Sequence, residues 1–123
     1  MARKKRGARK SVHRGWTALI PLLLGIVLTP FALRTASIVA LAGPKPFALL
    51  YPWVEVIRSP ALHLPGAWIG SLSEWMMYLQ FPLYGLVAAL TWRAGRYLRA
   101  VIIALALHFS GLIAVVLLAW LGQ

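Results

Sequence analysis

From Leu98 to Leu121 the chain carries two ionisable side chains, Arg99 and His108, and is otherwise apolar or small. As a helix this stretch is roughly 36 Å long at about 1.5 Å per residue, enough for the ~30 Å hydrocarbon core of a bilayer. The whole chain shares its character. Of 123 residues, 61% are hydrophobic and 12% are charged, against about 25% charged in soluble domains. So few charges do not coat a water-soluble globule.

The charges that exist are segregated. Lys and Arg number 13 and Asp and Glu number 2, for a net charge of +11. On one folded face, that excess would point to nucleic acid. Here Arg3, Lys4, Lys5, Arg6, Arg9, Lys10 and Arg14 crowd the first fourteen residues, and Arg93, Arg96 and Arg99 cluster in one later connection. Residues 1–15 form a basic tail with no apolar period. Its bland role is topology and contact with anionic lipid headgroups, at about 1 kcal/mol per basic residue near the surface. No aromatic residue is interleaved to stack bases, so no specific nucleic acid is expected.

The pattern predicts an all-α integral membrane protein with three transmembrane helices. The first occupies 16–42, with its span at about 16–34. It either stops near Arg34 or continues to Ala42 with Arg34 snorkelling outward. Pro30 should bend its far end. Residues 43–70 hold Pro44, Pro46, Pro52, Pro60 and Pro65 together with many apolar and aromatic side chains. That density forbids a long helix, and the segment is too greasy for free solution. It is expected to lie along the extracytoplasmic membrane interface, with a short helix after Pro52. The second helix spans 71–92 with Pro82 inside it, 93–97 is a tight turn, and the third helix spans 98–121. Trp16, Trp53, Trp68, Trp75, Trp92 and Trp120 are the expected interfacial anchors.

Both basic clusters fall on the same side of a three-span chain. The positive-inside rule makes that side cytoplasmic, giving N-in and C-out. The basic start, apolar run and Ala40-Leu41-Ala42 imitate a signal peptide. However, the apolar stretch exceeds the usual 7–15 residues and Arg34 interrupts it, so an uncleaved span is the favoured reading.

His108 invites a functional hypothesis because an ionisable side chain near the bilayer centre is costly. If spans two and three form a hairpin closed at 93–97, His108 shares a depth with Tyr84, and Gln80 lies one turn away on the same face. Ala104 and Gly111 flank His108 on its stripe, which lets helices approach closely. A polar seam of His108, Tyr84 and Gln80 follows. It either holds the hairpin together or serves as a proton or polar-solute relay; the first is favoured because no carboxylate lies at that depth. Arg34 and Glu74, near the outer ends of antiparallel spans, form a candidate ion pair. Glu55 and Arg58 form a weaker one at i, i+3.

Enzymatic readings are poorly supported. The chain has no Cys, its two Glu are the only acidic side chains, and Ser110 is about 160° round the helix from His108. A Ser/His/Glu set from Ser71, Ser73, His63 and Glu74 has no supporting spacing. His13, His63 and His108 fall at three different levels, so no metal site is expected, and no cofactor. The expectation is a non-enzymatic structural or accessory membrane protein, working as a homo-oligomer or with a larger membrane-protein partner. The alternative is a small transporter or proton-conducting subunit built on the seam.

Overall fold

The computed structural model describes residues 16–92 and 97–122. Every regular element among them is helical. Helix α1 is Ile20–Leu41, opened by a proline in its first turn and running through Pro30 without a break. Of the two ends left open by the sequence, the structure has the longer one, and Arg34 lies exposed on its side. Gly43 then stops the helix with φ 111°, a left-handed backbone that glycine adopts without a Cβ penalty.

The proline-rich stretch is a series of short helices. Helix α2 is Pro44–Leu50 and helix α3 is Pro52–Arg58. Tyr51 breaks them apart at φ −126°, ψ 63°, because Pro52 disfavours a helical residue before it and brings no N–H of its own. The same rule ends α3: Ser59 is extended ahead of Pro60, which opens a 3-10 turn over Pro60–Leu62. Pro65 stands at the cap of helix α4, Gly66–Leu90. Helix α5 is Tyr97–Leu121. The second long helix therefore starts five residues earlier than the sequence suggested.

Helices α1 and α4 are antiparallel and touch backbone to backbone. A Cβ on Gly25 would collide with the carbonyl of Phe81, and one on Gly85 with the carbonyl of Pro21 and the Cα of Leu22, 2.8 Å away. Glycine is required at both crossings by close approach. The buried face of α1 carries Gly25, Thr29 and Ala36, at helical spacing.

The 43–62 segment does not lie flat at one end of the long helices. It turns inward as a hairpin, with α2 leading to Tyr51 and α3 leading back. At its tip, Pro52 and Trp53 sit over Gly111, where an added Cβ would be 3.1 Å and 3.0 Å from them. At its base, Ala61 meets Gly122 near the end of α5. Roughly 16 Å of α5 separates these two contacts at about 1.5 Å per residue. The hairpin is held by a core of Phe47, Tyr51, Val54 and Ala36, with Met76, Met77 and Phe81 packed against it. Prolines mark where a helix stops, and say nothing of which way the chain then turns. That direction is set by tertiary partners.

Two of the described helices, α1 and α5, are long and apolar enough to cross a membrane. Little of either is covered by the rest of the chain: 22% of the most apolar window of α1 is buried and 6% of that of α5.

Candidate functional site: a polar seam at the hairpin tip

The hairpin tip leaves backbone carbonyls at the end of α2 with no helical N–H ahead of them. Two side chains from the middle of the long helices supply the missing donors. Gln80 Nε2 donates to the Leu50 carbonyl at 3.1 Å, and His108 Nε2 donates to the Leu49 carbonyl at 2.8 Å. A third contact pins the return helix: Trp53 Nε1 donates to the Leu107 carbonyl at 3.2 Å. An unpaired carbonyl in an apolar surround costs about 1–3 kcal/mol. These bonds therefore fix where the hairpin ends.

Of the expected seam, the structure joins Tyr84 to His108 and gives Gln80 a different partner. The Tyr84 hydroxyl lies 3.5 Å from His108 Nδ1, at the outer limit of a hydrogen bond, and the rings meet edge-on at 6.0 Å. Gln80 turns instead to Leu50 and is fully buried. What sequence reasoning missed is the occupant between the helices, namely the backbone of residues 49–51. A signal for it existed. A lone mid-helix Gln with no side-chain partner at its level needs a backbone group from elsewhere. Gly111, read as a seat for α4, seats Pro52 and Trp53.

Rings connect the hairpin to both long helices. Phe47 stacks on Tyr51 at 5.7 Å, Tyr51 meets Phe81 edge-on at 5.5 Å, and Phe81 meets Tyr84 at 6.1 Å. Among the described residues, three buried side-chain polar atoms have no hydrogen-bond partner: the Tyr51 hydroxyl, Ser73 Oγ and Gln80 Oε1. Buried polar groups are ordinarily partnered by protein or ordered water.

The other expected residues fall as follows. Arg34 and Glu74 are both exposed and do not pair. Arg34 is two residues, about 200° of helix, from the buried Ala36 and so points away from α4. Glu55 and Arg58 form the one side-chain ion pair among the described residues, at 3.7 Å, and the Arg58 guanidinium lies 5.4 Å above the Phe47 ring. Trp16, Trp68, Trp75 and Trp120 are exposed. Trp53, expected at an interface, is instead half-buried against the middle of α5, because its indole N–H bonds the Leu107 carbonyl. Trp92 packs edge-on against Tyr97 at 5.0 Å. Arg99 is exposed in the first turn of α5. Arg3, Lys4, Lys5, Arg6, Arg9, Lys10, Arg14, Arg93 and Arg96 lie outside the described residues, as does His13.

Among the described residues, no three His, Cys, Asp or Glu gather in metal-binding range. No family model matches the sequence, and no curated protein or solved structure is significantly similar to it.

Proposed function

We propose that the chain is a multi-pass membrane protein with α1, α4 and α5 as spanning helices, and that α2 and α3 form a re-entrant hairpin entering from the outer side. Its N-terminus is cytoplasmic and its C-terminus extracytoplasmic. Its role is non-enzymatic: a structural or accessory component that works as a homo-oligomer or beside a larger membrane-protein partner.

One observation carries the membrane reading: the most apolar helix is the least covered. In water, a helix with Leu98, Val101, Leu105, Phe109, Ile113 and Leu117 exposed would present a large apolar patch of the kind soluble monomers avoid. In lipid the same surface is at rest. The inward hairpin agrees with this, since non-helical backbone at membrane depth is tolerated only where protein satisfies it. The polar seam is then a clamp on the hairpin. The positive-inside distribution of Lys and Arg supports the orientation.

Extraction and capture test the proposal. The tagged chain should remain with the membrane pellet after alkaline washing and, in mild detergent, co-purify with itself or one stoichiometric partner. Release into the wash would contradict the membrane reading, and a partner-free monomer would contradict the accessory role.

The second reading, a proton-conducting subunit, is favoured by one observation. The unpartnered Tyr51 hydroxyl and Gln80 Oε1 are buried at the hairpin tip that the Tyr84–His108 pair borders, and Ser73 Oγ is buried about two turns further along α4. Such groups are natural stations for a water file. It predicts pH-gradient dissipation by the purified chain in liposomes, lost in His108→Gln with the fold intact. The clamp reading predicts no flux.

A further inference from the structure

The outer end of the bundle carries two open hollows, and one ion pair lines both. The first, of about 300 Å³, lies between the end of α3 and the last turns of α5, where Val115, Leu118 and Ala119 form an apolar wall. The second, of about 400 Å³, lies between the outer end of α1 and the start of the hairpin, with Ala36, Phe47 and Met77 in its lining. Glu55 and Arg58 belong to both, and no other charged residue lines either one. The pair itself is loose. Its 3.7 Å separation is beyond hydrogen-bond length, and among the described residues neither side chain forms a hydrogen bond. Yet the Glu55 side chain is only 22% exposed, and the Arg58 guanidinium rests on the Phe47 ring. Partly buried charges are costly unless they are hydrogen-bonded. The hollows thus present one anionic acceptor and one cationic donor, side by side, with bonding capacity unused.

We propose that this pair binds a phosphoethanolamine group, with Arg58 on the phosphate and Glu55 on the ammonium. The charge of the site selects the class. A purely anionic group would be repelled by Glu55 and a simple cation by Arg58, whereas a zwitterion answers both. A guanidinium takes phosphate oxygens through parallel N–H bonds. An ionised carboxylate only accepts, so Glu55 needs a partner with N–H groups. A primary ammonium has them and a choline nitrogen has none. The short link between phosphate and nitrogen in ethanolamine suits two protein charges that are themselves adjacent. Depth points to a source. Trp120, which follows Ala119 of the first hollow, is exposed, and on the membrane reading above it stands at the headgroup level of the outer leaflet. The proposal rests on that reading only for this source, an ethanolamine phospholipid rather than free phosphoethanolamine.

Native mass spectrometry of the full chain in mild detergent tests it. Phosphatidylethanolamine, phosphatidylcholine and phosphatidylglycerol with identical acyl chains are added at equal concentration. Wild type should retain one phosphatidylethanolamine, several-fold over either of the others. Glu55→Gln should lose the preference for ethanolamine over choline, and Arg58→Gln should weaken retention of both. Lys45→Gln, which removes a nearby exposed cation outside both hollows, should change nothing. A change in the ligand cannot unfold the chain, so stepwise N-methylation of the headgroup gives an independent arm: retention should fall with each N–H removed. Soluble phosphoethanolamine that displaces the lipid at equal concentration would identify the free compound as the source, and failure to displace it supports the lipid. Equal retention of the three lipids, a preference for phosphatidylglycerol, indifference to N-methylation, or a preference unchanged in both Glu55→Gln and Arg58→Gln overturns the proposal. A chain released by alkaline washing that still takes up free phosphoethanolamine would overturn the membrane reading and leave the site standing. A membrane-retained chain with no headgroup preference would do the reverse.

Discussion

Helices α4 and α5 are both 25 residues long and are built in opposite senses. Helix α4 buries Ser73, Gln80, Gly85 and Ala88, all of them polar or small, with Gly85 against α1 and Gln80 against the hairpin. Helix α5 buries Ala100 and Gly111 and turns its large apolar residues outward. In a soluble protein the more apolar helix would be the central one. Here the order is inverted, and the lesson is that α5 meets the rest of the chain through small residues and hydrogen bonds, with its apolar bulk left for the surroundings.

That contrast can be broken most forcibly at the glycine crossings of α4 with α1. Gly85→Leu and Gly25→Leu each place a side chain on backbone rather than on another movable side chain. Overpacking ordinarily costs about 1–3 kcal/mol; these two should reach or exceed the upper end. Size-exclusion chromatography in detergent should show aggregation or loss of the monodisperse species. By contrast, Ile113→Leu, on the exposed face of α5, should leave the profile unchanged.

Next in size are the donors to the hairpin tip. His108→Phe and Gln80→Leu strip the Leu49 and Leu50 carbonyls of their partners, each costing about 1–3 kcal/mol. Thermal unfolding in detergent should show both less stable than wild type, with His108→Gln intermediate because an amide can still donate. A full loss in His108→Gln would mean that the ring contact with Tyr84, rather than the donor, matters most.

A smaller effect is expected at Gly111→Ala. The added methyl meets Trp53 and Pro52 near 3 Å, and Trp53 is a side chain that can yield, so a loss of about 1 kcal/mol is expected. Tryptophan emission should shift as Trp53 is displaced. Smallest of all is Arg58→Gln. Its pair with Glu55 is long and Arg58 is nearly half exposed, so the change in stability should stay within about 0.5 kcal/mol.

The sequence made the long helices legible because apolar runs of that length have few other uses. It also placed Tyr84 and His108 at one level, because a short connection fixes the register of an antiparallel pair. The hairpin was legible only as broken helix. Pro44, Pro52 and Pro60 dictate where helices open, but the inward turn depends on Gln80, His108 and Gly111, which are distant in sequence. The failed Arg34–Glu74 pairing has a related cause. Matching depth was readable, whereas the face of α1 that packs was set by Gly25, Thr29 and Ala36.

The central claim is that the hairpin enters the membrane from the outer side and turns back near mid-depth. The chain has no cysteine, so single-cysteine variants report cleanly. Lys45→Cys and Ser59→Cys flank the hairpin, and Leu49→Cys is at its tip with the side chain exposed at 63%. An impermeant maleimide added to intact cells should label the first two and spare Leu49→Cys. A spin label at Leu49→Cys should then be relaxed by oxygen far more than by a water-soluble nickel complex. Labelling of Lys45→Cys and Ser59→Cys from opposite sides would contradict the account, as would a water-exposed label at Leu49→Cys.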